Sequence, residues 1–544
     1  RSQAAAAAAD SPRRQFPINM AAMGRLERAA WSASVLTQAG LVRPYLPDQL
    51  LGMGLALRRY GLSAASLYAV GAAQSSRRPA LVDEQGSLSY GELDDRTGNV
   101  AADLAERGVV AGDRVGVQCR NHRGFVEATV GLSKVGAQAL LLNTGMAGPQ
   151  LAQVVAREGA SSLLLDEEFL ATADDLGPGV PRIVIEEIAW AAAGRRRRPP
   201  APERCGGQII LTSGTTGTPK GAHRAGPSGL APLVSLLSTV PLRRGDVTYV
   251  AAPLFHAWGF AHFALAGLLG STMVLRTRFD PEAALRLIDE HRVTVLAAVP
   301  IMLQRIMDLP AATRSAYDTS SLRVAVVSGS ALPGGLATRF MDSFGDVLYN
   351  LYGSTEVAWV SVASPTDLRA APATAGRSPR GTVVRLLDGE GEPVAPGTPG
   401  RIFVGNDLLF SGYTGGGTKP VIGGLMATGD TGHFNDQGLL FVDGRDDDMV
   451  VSGGENVFPS EVEDLLLQHP AIAEACVVGV PDEQWGQRLR ACLVGAPGRA
   501  LTADEVKAFV RGALAGYKVP RDVVFLDELP RNATGKILRH QLAD

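Results

Sequence analysis

Residues 208–221 restrict the folds open to this chain more than any other stretch. Gln208-Ile209-Ile210-Leu211 reads as an apolar strand and runs straight into Thr212-Ser213-Gly214-Thr215-Thr216-Gly217-Thr218-Pro219-Lys220-Gly221. Glycines let backbone N–H groups converge on an anion, hydroxyls add donors, and a lysine supplies a point charge. The segment therefore predicts a phosphate cradle at the end of a strand. It differs from a Walker A loop in its glycine spacing and in placing Gly221, not Ser or Thr, after the lysine. A flexible Gly/Thr linker fits poorly with a strand leading in and a lysine leading out. Composition adds weight, since only six lysines stand against 46 arginines and each lysine invites a question.

A strand that ends in a ligand loop suits a parallel sheet, and residues 90–326 supply the alternation that builds one. Asp280-Pro281 predicts a helix running to about His291, because aspartate caps and proline suits the first turn. Residues 293–299 then read as a buried strand, 301–309 as a helix and 322–327 as another strand. Thr502-Ala503-Asp504-Glu505 is a capping box that opens a helix through Val510. With 544 residues the chain exceeds what one core organises. The expected fold class is α/β: a large N-terminal part of several subdomains on mostly parallel βαβ sheets, plus a small mobile C-terminal α+β domain. The expected boundaries are 1–75 for an N-terminal extension (disordered to about residue 16, then helical), 76–445 for the large domain and 446–544 for the small one. Gly194-Arg195-Arg196-Arg197-Arg198-Pro199-Pro200 reads as a solvated linker.

Composition also excludes classes. The chain is 46% hydrophobic and 20% charged, which rules out overall disorder, and a net charge of −3 gives no basic field for nucleic acid. Cys119, Cys205, Cys476 and Cys492 lie far apart with no zinc spacing, so free thiols in a reducing compartment are expected. No apolar run reaches the length of a membrane span. The two apolar segments between Trp31 and Tyr60 read either as helices packed on the body or as an amphipathic patch on a membrane surface.

Three further clusters carry chemistry. Asn350-Leu351-Tyr352-Gly353-Ser354-Thr355-Glu356 follows a strand and sets a hydroxyl beside a carboxylate that could hold Mg²⁺, a hard cation that favours oxygen ligands and phosphate. Thr428-Gly429-Asp430, followed by Gly444-Arg445, offers an acid able to accept both hydroxyls of a ribose. Near the C-terminus, Thr534-Gly535-Lys536 places a lysine on a tight turn.

These motifs, in this order, closely resemble the adenylate-forming superfamily of acyl-CoA synthetases, nonribosomal adenylation domains and luciferases. Within it the chain looks most like actinobacterial fatty-acid–CoA ligases, over residues 77–544. The resemblance implies an AMP-forming acid–thiol ligase with ATP, Mg²⁺ and CoA as co-substrates or cofactor. ATP phosphates would lie against Thr212, Ser213, Gly214, Thr215, Thr216, Gly217 and Lys220, with adenine near Ser330 and Tyr352. Asp430 and Arg445 would hold the ribose, Thr355 the α-phosphate and Glu356 the metal. Lys536 would stabilise the charge that builds as a carboxylate attacks the α-phosphate. The tail domain would then rotate about Asp447 and present Gly453 and Gly454 to CoA.

Pro253-Leu254-Phe255-His256-Ala257-Trp258-Gly259 matches the family's substrate gate, and His256 stands where amino-acid-activating members carry an aspartate. A pocket without that carboxylate rejects an ammonium group. The resemblance implies that the following small residues, Gly259 and Ala264 among them, line an acyl tunnel; close helix packing is the equal alternative. A medium- or long-chain fatty acid is the expected substrate. A fatty-acyl-AMP ligase that passes its acyl group to a carrier protein, and a non-catalytic nucleotide-binding pseudoenzyme, are the alternatives. Carrier-linked members continue into a further module, whereas this chain stops at Asp544, so a stand-alone enzyme is expected. It is expected in the cytoplasm, with peripheral contact to the inner membrane face through residues 1–75 and an oligomer both left open. Two departures bear on nucleotide and CoA contacts: Gly424-Leu425-Met426-Ala427 replaces an aromatic residue before Thr428, and Asn456 stands where some members carry arginine.

Overall fold

The computed structural model describes residues 24–177, 179–193, 201–212, 220–223, 229–395, 397–446, 450–452, 455–457, 459–482, 486–514, 516–532 and 535–543. Its largest sheet has eight strands, in the order Ser361–Ala363, Leu348–Tyr352, Val324–Val327, Val295–Ala298, Val247–Val250, Thr272–Val274, Pro79–Asp83 and Gly86–Ser89. The six inner strands are mutually parallel and one antiparallel strand closes each edge. Val295–Ala298 and Val324–Val327 are buried at every position, which is why they read as unbroken apolar runs. The helix expected after Asp280 spans Pro281–Glu290, and the Asp280 carboxylate accepts the Ala283 N–H at 2.7 Å. The next expected helix spans Pro300–Asp308. These elements are present where expected, with ends within two residues of the expected ones.

A second sheet has seven strands, five of them parallel, and contains the strand Gly207–Leu211 that precedes the glycine-rich loop. One apolar cluster joins both sheets. Leu81, Val250 and Met273 of the first meet Val115, Val117 and Leu141 of the second through Tyr68, Phe125 and Phe263 on helices Ala64–Gln74, Arg123–Val135 and Ala257–Leu269. Two smaller antiparallel-based sheets follow, one over residues 383–445 and one over residues 450–525. In the last of these the Thr502 capping box opens helix Ala503–Ala513 as expected, with Glu505 accepting the Thr502 N–H at 2.9 Å. The α/β class, with large N-terminal sheets and a small C-terminal domain, is therefore the observed one.

The expected boundary at residue 76 cuts through packed structure. Tyr68 is 1% exposed and its hydroxyl donates to the Phe263 carbonyl at 2.9 Å, so helix Ala64–Gln74 belongs to the core of the large domain. Helix Arg25–Gln38 also rests on the body, with Val35 and Ala39 against Val234 and Leu237, and Arg380 over the Trp31 ring. All four cysteines are free. Residues 1–16, the arginine linker at 194–200, Ser213 to Gly217, Asp447, Gly453 and Gly454 lie outside the described residues.

Candidate active site

In an open parallel sheet the strand ends gather one set of loops along one edge, and here that edge faces the small domain. One cleft of about 3220 Å³ is lined by Thr212, Lys220, His256, Ala264, Ser330, Tyr352, Thr355, Glu356, Asp430, Arg445 and Lys536. These residues come from parts of the chain more than three hundred positions apart, and the fold brings them together.

The glycine-rich loop departs from and returns to a clamped base. The Thr212 N–H donates to the Lys220 carbonyl at 2.8 Å, its hydroxyl reaches the same oxygen at 3.2 Å, and Gly221 pairs antiparallel with Leu211. Beneath it, buried Glu158 accepts the Gly221 N–H at 3.2 Å and the Thr414 hydroxyl at 2.8 Å. Lys220 Nζ sits 5.5 Å from the centroid of the Tyr413 ring. The Tyr413 hydroxyl donates to Glu356 Oε1 at 2.9 Å, and the Ser354 hydroxyl donates to Glu356 Oε2 at 2.9 Å. Burial first, and then the Glu356 carboxylate, push the Tyr413 phenol upward, so it stays a donor.

The turn that carries Thr355 and Glu356 is tight for a local reason. A Cβ at Gly353 would come 2.0 Å from the Ala358 carbonyl oxygen, and Ala358 itself has φ of 62°, a left-handed value unusual for a residue with a side chain. On the facing side, the Tyr352 hydroxyl donates to Asp430, and Arg445 Nη1 lies 3.6 Å from the same carboxylate. Burial pushes the Asp430 carboxyl up, while the Tyr352 hydrogen bond and the charges of Arg445, Lys419 and Lys536 pull it down. Lys536 thus acts on Asp430 from the small domain. Its turn is held by Asn532, whose side chain accepts the Lys536 N–H at 3.0 Å, and by Gly535 at φ of 81°. A Cβ at Gly535 would come 2.5 Å from Ile301 Cγ2 of the large domain, so only glycine allows this approach.

The other arm of the cleft follows helix Ala257–Leu269. His256 caps its N-terminus from extended backbone, and burial pushes its imidazole down to about 4. The Trp258 indole donates to the Ala298 carbonyl at 2.9 Å. Ala264 lines the cleft, but Gly259 does not: a Cβ there would lie 2.1 Å from the Pro253 carbonyl oxygen. Its small size serves the junction between loop and helix, which corrects the expectation of Gly259 as a tunnel wall. A Cβ at Gly267 would likewise come 3.1 Å from Leu67 and Tyr68.

Sequence reasoning missed Lys419, Tyr413 and His262, all of which line this cleft. The scarcity of lysine was the available signal for Lys419, whereas Tyr413 and His262 carry none in the local pattern. Elsewhere, Cys119, His122 and Asp166 converge within 4.8 Å. His122 Nδ1 accepts the Gly124 N–H at 3.1 Å, so Nε2 bears the proton and donates to Asp166 at 3.0 Å. That tautomer leaves no lone pair for a metal, and the cluster reads as a helix cap.

Comparison with known proteins agrees with this geometry. A feruloyl-CoA synthase of Amycolatopsis sp is 36% identical over 476 residues, 84% of this chain and 93% of that protein. A fatty acid–[acyl-carrier-protein] ligase of Streptomyces coeruleorubidus is 30% identical over 485 residues, 86% of this chain and 93% of that protein. The solved o-succinylbenzoate CoA synthetase of Bacillus subtilis, in complex with its acyl-adenylate intermediate, superposes with a TM-score of 0.77 at 28% identity, covering 88% of this chain and 98% of the other. The model of the AMP-binding enzymes matches residues 69–414 and that of their C-terminal domain residues 461–536. With the cleft formed where those two regions meet, the chain belongs to the AMP-binding enzyme family.

Proposed function

We propose that this protein is an AMP-forming acid–CoA ligase. The observation that carries the reading is the convergence of Lys220, Thr355, Glu356, Asp430, Arg445 and Lys536 on one cleft. No packing demand explains six such polar groups around a single void. ATP would lie with its ribose against Asp430 and Arg445, its adenine by Tyr352 and Ser330, and its phosphates along the loop from Thr212 to Lys220. The donor set at Glu356 fits Mg²⁺, which takes one or two carboxylates and completes its shell with phosphate and water; the ion would neutralise charge on the phosphates. A substrate carboxylate oxygen attacks the α-phosphorus, the bond to the β-phosphate breaks, and pyrophosphate leaves. Lys536 and Thr355 supply positive charge and a hydroxyl where the negative charge grows. CoA sulfur then attacks the acyl carbon of the mixed anhydride, the bond to AMP breaks, and the thiol proton goes to solvent. For that second step, as the resemblance implies, the small domain would turn about Asp447 and present Gly453 and Gly454 to CoA; these three lie outside the described residues.

The cleft wall supports an acid with a compact apolar body over the expected medium- or long-chain fatty acid. Gly259 and Gly267 are committed to packing, while Trp258, Trp359 and His262 border the void with Leu233 and Leu236. Transfer to a carrier protein is the second reading, and the name of the Streptomyces relative is the observation that favours it.

Mass-spectrometric product analysis with Mg-ATP and a mixed acid panel, with and without CoA, tests both. Acyl-CoA and AMP are expected only when CoA is present. Acyl-adenylate that persists despite CoA would overturn the CoA reading in favour of another acceptor. Lys536→Ala is expected to lower adenylation at least a hundredfold while sparing thioester formation from supplied acyl-adenylate. An equal fall in both half-reactions would refute the two-step use of the small domain.

Among the described residues no helix is long and apolar enough to cross a membrane. Peripheral contact is a separate matter. Leu50, Leu51 and Leu55 on helix Pro47–Tyr60 are 54%, 64% and 55% exposed, and Leu46 and Leu62 flank them in the open. Residues 24–62 hold five arginines against two acids in a chain of net charge −3, and exposed Arg43 and Arg58 border the leucines. That combination supports an anionic lipid surface as the occupant.

A further inference from the structure

We propose that His262 selects for acids whose apolar body carries a hydrogen-bond donor, a hydroxyl or an N–H. The inference rests on the ligase reading above and narrows its substrate. His262 is 3% exposed, lies on helix Ala257–Leu269 and borders the cleft. Its Nδ1 lies 3.3 Å from the Trp258 carbonyl, one turn back on the same helix. A carbonyl oxygen only accepts, so Nδ1 carries the proton, and Nε2 on the far side of the ring presents a lone pair. That Nε2 is buried and has no partner among the described residues. Burial pushes the imidazole down to about 4, so the ring is neutral at pH 7 and Nε2 remains an acceptor.

Position on the helix sets His262 apart from the first turn. Strand Val247–Val250 delivers the chain to the edge where Ser330 and Tyr352 border the nucleotide arm, and helix Ala257–Leu269 returns from that edge into the domain. His256 precedes the first turn of the helix and His262 lies six residues further along, about 9 Å along the axis at 1.5 Å per residue. The Trp258 ring packs edge-on against His262 at 4.4 Å between centroids, which leaves an apolar stretch between the two imidazoles. An acid that reaches Nε2 with a donor satisfies the orphan acceptor. One that reaches it with a methyl or an ether oxygen leaves it unmet or repels it.

Matched acids read this directly. We would measure kcat/KM for pyrophosphate release with 3-(4-hydroxyphenyl)propanoate, 3-phenylpropanoate and 3-(4-methoxyphenyl)propanoate, and with 8-hydroxyoctanoate against octanoate. The aromatic and straight-chain pairs present the same donor on different bodies. The hydroxylated member of at least one pair is expected to exceed its partner about tenfold, and His262→Leu is expected to bring the two within about twofold by raising the deoxy acid. His262→Gln, which restores an acceptor, is expected to regain part of the preference. Wild-type protein that uses the deoxy or methoxy acid as well as the hydroxylated one overturns the proposal, whatever the variants do. Absence of turnover with every acid overturns the ligase reading itself, whereas turnover without donor preference overturns this inference alone.

Discussion

His256 and His262 are two neutral imidazoles in one wall, and their burial has a consequence for the whole fold. Each is held near 4 in the folded chain against about 6.5 for a free imidazole. Between those values the unfolded chain binds protons that the folded chain lacks, so stability falls as pH drops through 6.5 toward 4. The slope for each is up to about 1.4 kcal/mol per pH unit. Thermal melts at pH 7 and pH 5 should show a smaller acid loss for His262→Leu than for the wild type; an identical loss would mean that His262 titrates normally. At this scale the sequence was legible where a residue sits inside a motif. Asp430, Arg445 and Lys536, each singled out from its motif, all line the cleft. Tyr413 was not legible, because its meeting with Glu356 depends on a strand pairing between residues 412–413 and 222–223 that local pattern does not encode.

Helix Ala257–Leu269 shows what an element adds to its residues. It is apolar all round, but its buried residues share one half of its surface, while Ala257, Trp258, Ala261, Ala264 and Leu265 on the other half stay half-buried along the cleft, and its glycines lie on the packed side. Gly259→Ala would push a Cβ into the Pro253 carbonyl. We expect a loss of about 1–3 kcal/mol, read as a lower Tm, together with a raised KM for the acid and little change for ATP. A variant as stable as the wild type would show that the loop yields and that the position is free to serve the pocket. Periodicity and caps located this helix's neighbours well, as Pro281–Glu290 and its Asp280 cap show. They could not say whether a small residue faces a void or a backbone, since that depends on the carbonyl of Pro253 and on Tyr68, nearly two hundred positions upstream of Gly267.

At the scale of the molecule, order of motifs carried most of the information: the cleft gathers residues from Thr212 to Lys536, and their succession in sequence announced it. The N-terminal helices were less legible, because an exposed leucine and a buried one look alike until the body is in place. If helix Pro47–Tyr60 meets lipid, the full chain should co-sediment with phosphatidylglycerol vesicles, and Leu50→Gln with Leu51→Gln and Leu55→Gln should abolish this without changing turnover of a water-soluble acid. Equal sedimentation of the triple variant would remove that face from consideration. The two arms of the cleft also have separate origins in the chain. The groups around the proposed nucleotide arm come from strand ends and from the small domain, while much of the wall proposed for the acid comes from one continuous stretch, helices Ala231–Thr239 and Ala257–Leu269. A lineage carrying this fold can therefore exchange one internal cassette and acquire a new diet while its energy-coupling machinery is inherited intact.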